Sequence, residues 1–265
     1  MRVTALFEGG GLVVANYACC AQPGDASVPE HHSGYALAFV QSGSFGYLAR
    51  GARYELVTGS LLLGRPGEEY RCTHDHHRGG DECLSFHFSP ALIDALGADK
   101  VWPTAALPPL AELSVLGELA RTAALSQSDI GLDEAGLLLA QRFLRVATNA
   151  RSESVATTPV DRRRAVRAAL YLEARSSEPV TLADAAREVG LSTFHLLRMF
   201  SRVLGLTPHQ YLLRTRLRHA ARLLAEPELP ITQIAYSVGF NDLSNFTRTF
   251  RRATGVTPTA YRARR

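Results

Sequence analysis

"LADAAREVGLSTFHLLRMFSRVLGLTPHQY", Leu182 to Tyr211, recurs in the same chain as "ITQIAYSVGFNDLSNFTRTFRRATGVTPTAY", Ile231 to Tyr261. Ala186 answers Ala235 and Gly190 answers Gly239. After one extra residue in the second copy, Leu196 matches Phe246, Arg198 matches Arg248, Phe200 matches Phe250, Gly205 matches Gly255, Pro208 matches Pro258 and Tyr211 matches Tyr261. Self-similarity of this length marks one supersecondary unit built twice.

Each unit reads as a helix-turn-helix. A short amphipathic helix carries a small residue, Ala186 or Ala235, that lets a second helix cross closely. It ends at a glycine able to take positive φ, and the second helix starts after a polar cap, Ser192 or Asn241. Leu196 and Phe200, or Phe246 and Phe250, lie four apart and form the buried stripe. The outward positions are then Thr193, Phe194, Leu197, Arg198 and Arg202 in the first copy, and Leu243, Ser244, Thr247, Arg248 and Arg251 in the second. Arginine among small polar and methyl-bearing neighbours suits the major groove, where it bonds guanine while methyl groups meet thymine. Arg202, Arg251 and Arg252 lie farther along and suit phosphates. "PHQYLLRTRLRHAARLLAE", Pro208 to Glu226, is one long helical pattern that holds the two units at a fixed separation, as needed to enter successive major-groove segments.

Charge agrees with this placement. Residues 161–265 carry 18 Arg and no Lys against 8 acids, a net +10, whereas residues 1–160 carry 11 basic residues against 17 acids, a net −6. Polyanion contact therefore belongs to the C-terminal half. These last hundred positions resemble the DNA-binding domain of the AraC/XylS family of bacterial transcription regulators, most specifically in the second unit. The resemblance implies base contacts from Phe194, Leu197 and Arg198 and from Ser244, Thr247 and Arg248. Leu197 stands where the family frequently has a polar side chain, which implies more apolar contact or shape readout by the first helix.

Working back along the chain, "ARSESVATTPV", Ala150 to Val160, concentrates Ser, Thr and Pro between two helical patterns. The expected division is 1–150, a linker at 151–160, and 161–265. Before it, "GLVVANYACC", "YALAFVQSG", "SFGYLAR", "GSLLLG" and "ECLSFHFS" read as short antiparallel strands, with hairpin turns at Gly43 and at Gly64 to Glu69. From Ser89 helices follow: "SPALIDALG", then "PLAELSVLGELARTAALS" with Leu110, Leu113, Leu116 or Gly117, Leu119 and Ala120 in its stripe, then "DEAGLLLAQRFLRVATNA" with Leu137, Leu138, Phe143 and Leu144. The last two pack on the barrel by default; pairing with a second copy is the alternative, which makes a homodimer a candidate partner. The fold class is α+β: a cupin-like antiparallel β-barrel with flanking helices, then an all-α domain of two helix-turn-helix units. The cupin likeness is implied by the family resemblance, as is a sensing or dimerising role.

"CTHDHHRGGDECLSFH", Cys72 to His87, holds six of the thirteen His and Cys residues. Read as a hairpin around Arg78 to Asp81, it sets His76 opposite Cys83 and Cys72 opposite His87 on one face, with Leu84, Phe86 and Phe88 on the other. Cys72, His74, His76, Cys83 and His87 are then candidate ligands for a divalent transition metal such as zinc. A Cys72–Cys83 disulfide and an inert polar face are the competing readings. His31 and His32, at the mouth of the barrel, are candidates to complete a site, and Cys19 and Cys20 end an apolar strand and include at least one buried thiol that merely packs.

Neither a signal peptide nor a membrane helix is legible, and four cysteines are too few for a disulfide scaffold, so the expectation is a cytoplasmic, non-enzymatic regulator. Its expected partners are double-stranded promoter DNA, a small-molecule or metal effector and RNA polymerase. The alternative is a metal-dependent cupin enzyme tethered to DNA, for which Glu68, Glu69 and Asp75 are the available acids.

Overall fold

The computed structural model describes residues 1–75, 80–96, 102, 104–125, 130–147, 157–226 and 228–263. In chain order the strands are β1 (Arg2–Gly9), β2 (Leu12–Cys19), β3 (Glu30–His31), β4 (Tyr35–Ser42), β5 (Ser44–Ala49), β6 (Ala52–Val57), β7 (Leu61–Gly64), β8 (Glu69–Thr73), β9 (Asp81–Phe88) and β10 (Ala106–Leu107). They form two antiparallel sheets, ordered β1-β2-β9-β4-β7-β10 and β3-β8-β5-β6. Period-two alternation divides the residues of β4 and β9 between two cores. Leu37, Phe39, Leu84, Phe86 and Phe88 face helices, while Ala38, Val40 and Cys83 face the inside of the barrel with Phe45, Tyr47 and Leu56 of the smaller sheet. Burial on both faces explains runs such as Leu61 to Leu63, which do not alternate.

Two of the expected turns are corrected by this topology. Gly43 does not close a hairpin, because β4 pairs with β7 and β9 while β5 pairs with β6 and β8; the chain crosses there from one sheet to the other. The stretch from Gly64 to Glu69 makes the same kind of crossing, from β7 to β8. The hairpin expected over Cys72 to His87 is likewise absent, since β8 and β9 belong to different sheets. A glycine-marked corner between sheets and a hairpin turn have the same composition, so sequence could not separate them.

The helices beside the larger sheet are α1 (Pro90–Ala95), α2 (Ala111–Ala124) and α3 (Leu132–Ala147). Ser89 caps α1 with Pro90 just inside, as expected. Helix α2 lies against β4 so closely that a Cβ at Gly117 would stand 2.4 Å from the Phe39 ring; only glycine fits this crossing. The buried face of α3 is Ala135, Leu139, Ala140, Phe143 and Ala147, and Leu138, expected inside, is exposed. Gly136 lets that face approach the sheet, since a Cβ there would stand 2.8 Å from the Phe86 ring.

The basic half contains α4 (Pro159–Ala174), α5 (Leu182–Glu188), α6 (Thr193–Leu204), α7 (Pro208–Leu223), α8 (Ile231–Ser237), α9 (Leu243–Thr254) and α10 (Pro258–Arg262). Residues 151–156 of the expected linker lie outside the described residues, and α4 already begins at Pro159 behind a Thr158 cap. Each unit has its own core. Leu196, Phe200 and Tyr211 pack with α4 and α5; Phe246, Phe250 and Tyr261 pack with Ile234, Ala235 and the end of α7. The repeated Thr-Pro starts α7 and α10 in the same way, Thr207 and Thr257 capping and the prolines occupying the first turn. Gly239, at φ +94°, sits where a Cβ would meet the Ser176 carbonyl at 2.7 Å, so the second turn demands glycine twice over.

The two halves share one interface. Val115 and Leu119 of α2 join the second unit's core beside Leu217, Ala220 and Ala221 of α7. Within this contact the Glu118 carboxylate, 1% exposed as a residue, lies 3.1 Å from Arg222 Nη2 and 3.5 Å from Arg218 Nε. Arg218, equally buried, reaches Glu173 at 2.6 Å and donates to the Thr58 carbonyl at 3.1 Å. Nearby, Arg162 of α4 pairs with buried Glu55 of β6 at 3.1 Å.

Candidate nucleic-acid interface and barrel cavity

The recognition-helix residues stand where the repeat placed them. Ser192 caps α6, accepting from the His195 amide, and the helix exposes Thr193, Phe194, Leu197, Arg198 and Arg202 while burying Leu196 and Phe200. Phe194 is 66% exposed, an apolar ring with no core to serve. The cap of α9 is Asp242 rather than Asn241, its carboxylate accepting from the Asn245 amide; the extra residue in the second turn moves the helix start by one. Ser244, Arg248, Arg251 and Arg252 are exposed, and together with Thr247 they line one shallow concavity. Leu243 belongs there too but is half-buried against the second core, so it contributes mainly as packing. Arg202 lines the cleft where α6 meets the barrel, beside Arg53 and Glu55. His195 and Asn245, both exposed on the first turns of these helices, were missed by the sequence reading; the first-turn position was the available signal.

Not all of the basic charge faces outward. Arg162, Arg218 and Arg222 are committed to acids, two of them on the barrel half, and Arg214 donates to the Pro109 carbonyl. The opposite charges of the halves therefore also bind the halves to each other, a use that composition could not distinguish from polyanion attraction.

Inside the barrel a cavity of ≈ 380 Å³ opens between the sheets, a size suited to small-molecule ligands. Cys72, His74, Cys83 and His87 all line it, reached from opposite sheets instead of from one hairpin. They do not converge. Cys72 and Cys83 are thiols that burial pushes well above the ordinary range, and His87 sits between the Tyr17 hydroxyl, 3.3 Å away, and Ser85 Oγ, 3.0 Å away. His76 lies outside the described residues. All four described cysteines are free.

His32, a candidate to complete a metal site, is part of the cavity wall. Its ring stacks on Tyr70 at 4.2 Å and its Nε2 lies 2.8 Å from the Tyr47 hydroxyl. Burial, outweighing the pull of Glu68, lowers its pKa to about 4, so it is a neutral acceptor or donor at physiological pH. Tyr70 in turn donates to Glu30 at 3.1 Å. Cys19, expected merely to pack, places its Sγ 3.7 Å from His74 Nε2. The acids available to an enzymatic alternative are engaged elsewhere: Glu68 with Arg50 and Asp75 with Arg53, each at 2.8 Å, and Glu69 with Arg71 at 3.7 Å.

Known proteins resemble both halves. Residues 21–136 match the AraC-like ligand binding domain and residues 185–264 match a helix-turn-helix domain. A probable transcriptional regulator LumQ of Photobacterium leiognathi is 36% identical over 91 residues, covering 34% of this chain and 37% of that protein. An uncharacterized HTH-type transcriptional regulator YdeC of Bacillus subtilis (strain 168) is 38% identical over 85 residues, 32% of this chain and 29% of that protein. The chain thus spans about a third of the length of these two curated relatives. The uncharacterized HTH-type transcriptional regulator YbfI of the same strain is 28% identical over 228 residues, 82% of this chain and 80% of that protein. The C-terminal domain of AraT, a response regulator from Geobacillus stearothermophilus, has 34% identity over 42% of this chain and 89% of its own, with a TM-score of 0.37. No helix among the described residues is long and apolar enough to cross a membrane.

Proposed function

The chain belongs to the AraC family of helix-turn-helix proteins, and on that premise we propose that it is a one-component transcription regulator. Helices α6 and α9 read two successive major-groove segments of promoter DNA, and the barrel cavity takes the effector. The observation that carries this reading is the duplicated unit, whose two recognition helices both turn arginine and small or apolar side chains outward on separately cored supports. Arg198 and Arg248 read bases; Arg251 and Arg252 hold phosphates, while Arg202, expected to do the same, faces the cleft beside Arg53 and Glu55 of the barrel.

An effector shifts such a protein only by binding two of its arrangements unequally. The route supporting this runs through β4. Ala36 and Ala38 line the cavity, Phe39 on the opposite face underlies Gly117 of α2, and the next residue of α2, Glu118, holds α7 through Arg218 and Arg222. A ligand that displaces β4 displaces α2, and α2 is clamped to the helix joining the two DNA-reading units. Contact with RNA polymerase belongs to the same reading.

The test is selection of double-stranded DNA from a random pool by the full chain, followed by footprinting. The expected product is a bipartite site whose halves lie about one helical turn, roughly 10 base pairs, apart. Recovery of no enriched sequence, or of a site insensitive to both Arg198→Ala and Arg248→Ala, overturns it.

A further inference from the structure

We propose that Cys19, His74 and Asp81 form a binding site for one divalent transition ion of the zinc class, with a coordination position open to the barrel cavity. Among the described residues these three bring a thiol, an imidazole nitrogen and a carboxylate oxygen within 4.8 Å of one another. The site differs from the one expected in the sequence: of the residues named there only His74 takes part.

The backbone places the three donors. Cys19 ends β2 and Asp81 begins β9, and the two are direct partners in the antiparallel ladder, so their side chains leave the sheet side by side on one face. His74 follows β8 and comes from the opposite sheet. The site therefore closes the rim between the two sheets, its ligands coming from the end of β2, the start of β9 and the residue just after β8.

Distances fit a tetrahedral ion. His74 Nε2 lies 3.1 Å from Asp81 Oδ2 and 3.7 Å from Cys19 Sγ. With metal bonds of about 2.0–2.1 Å to nitrogen and oxygen and about 2.3 Å to sulfur, tetrahedral edges are about 3.3 Å for N–O and about 3.6 Å for N–S. The nitrogen also has two claimants for one direction. An imidazole nitrogen carries either one N–H or one lone pair in the ring plane, and cannot serve a carboxylate and a thiol with equal geometry. A cation between the three satisfies all of them. His74 and Asp81 are each 7% exposed, so the carboxylate is withdrawn from water where a metal rewards it most.

The donor set selects the ion. A thiolate with an imidazole and one carboxylate suits zinc, cobalt or nickel, while magnesium and calcium prefer oxygen alone. Three protein ligands leave a fourth position, and the same cavity is lined by His32, Tyr70, Tyr17 and His87. A small molecule bearing a nitrogen, sulfur or anionic oxygen donor would be held at one end by the ion and along its length by these rings. The proposal does not depend on DNA binding.

Cobalt is the probe. Full-length protein, stripped of metal and reduced, is titrated with Co²⁺ and followed by absorption. The expected result is saturation at one ion per chain with a thiolate-to-cobalt charge-transfer band and intense tetrahedral d–d bands. Cys19→Ser abolishes the charge-transfer band, Asp81→Asn weakens binding by more than about tenfold, and Cys20→Ser changes neither. Azide or imidazole added to the cobalt form shifts the d–d bands if the fourth position is open; unchanged bands refute that part. Circular dichroism establishes that each variant is folded. Should Cys19→Ser fail to fold, protection of Cys19 from alkylation by bound Zn²⁺ in the unmutated chain replaces it. Absence of saturable binding, or binding indifferent to Cys19 and Asp81, overturns the proposal.

Discussion

Replacing Glu118 with alanine removes the acid from the middle of the contact between α2 and α7. In the intact protein its carboxylate lies 2.8 Å from Arg121 Nε, 3.1 Å from Arg222 Nη2 and 3.5 Å from Arg218 Nε, with the side chain fully buried. Arg222 is partly exposed and recovers water, but Arg218 stays buried and, among the described residues, keeps Glu173 and the Thr58 carbonyl. Breaking one member of a buried ion cluster costs about 3–5 kcal/mol, and the two surviving partners of Arg218 put the expected loss near the lower end, about 3 kcal/mol. At about 2–4 °C per kcal/mol for a chain of this size, Tm falls by about 6–12 °C. Calorimetry on the wild type, Glu118→Ala, Arg218→Met and the double variant gives the pairwise coupling, expected to be about 2 kcal/mol. The halves should melt together in the wild type and separate in Glu118→Ala, because the second core includes residues of α2. A Tm change under about 2 °C, or a coupling energy under about 0.5 kcal/mol, would refute the claim that this cluster fastens the barrel to the DNA-reading half.

On the selected site, Arg198→Ala and Arg248→Ala should each weaken binding by about 1–3 kcal/mol and relax preference at one half only, read by fluorescence anisotropy against single-base variants. Arg251→Ala should weaken all sequences alike and lower the slope of log K against log salt by about 1. Phe194→Ala should reduce DNA affinity with Tm unchanged, since the ring is exposed and outside every core; a Tm drop would reassign it to packing. His32 and His219 are held near pKa 4 by burial, for His219 with added repulsion from Arg218 and Arg222, against an ordinary 6.5. Unfolding lets them take up protons below about pH 6.5 that the folded state refuses until about pH 4. Their contribution is therefore complete above pH 6.5 and is lost as pH falls toward 4. Tm measured across that window should decline, and less steeply in His219→Gln.

The C-terminal architecture was legible because it is local. Caps, helical periodicity and the spacing from Gly190 to Leu196 or Gly239 to Phe246 all lie within one unit, and repetition supplied an internal check. The outward face of α6 followed from Leu196 and Phe200 alone. The strands of the barrel were largely readable as strands, and the alternation over Cys83 to Phe88 was correct in assigning Cys83, Ser85 and His87 to one face. Their partners were not readable. Whether Gly43 turns back or crosses to another sheet depends on where β7 and β9 lie, and these are distant in the chain.

The same distance separates the two metal sets. Cys72, His74, Cys83 and His87 were joined by proximity in sequence, whereas Cys19, His74 and Asp81 are joined by the pairing of β2 with β9 and the folding of β8 over them. Glu118 sat in an apolar stripe between Val115 and Leu119, a hint of a buried charge, but the partners that join it to the other half, Arg218 and Arg222, lie about a hundred residues away on α7. Sequence by itself determined the element types, the duplicated helix-turn-helix and the faces of the recognition helices, since those depend on dihedral preferences and on 3.6- and 2-residue periods. The tertiary structure alone decided which arginines stay exposed on the recognition helices and which fasten the halves, and which thiol meets which imidazole, because those are distances between segments that only the closed barrel and its packed helices bring together.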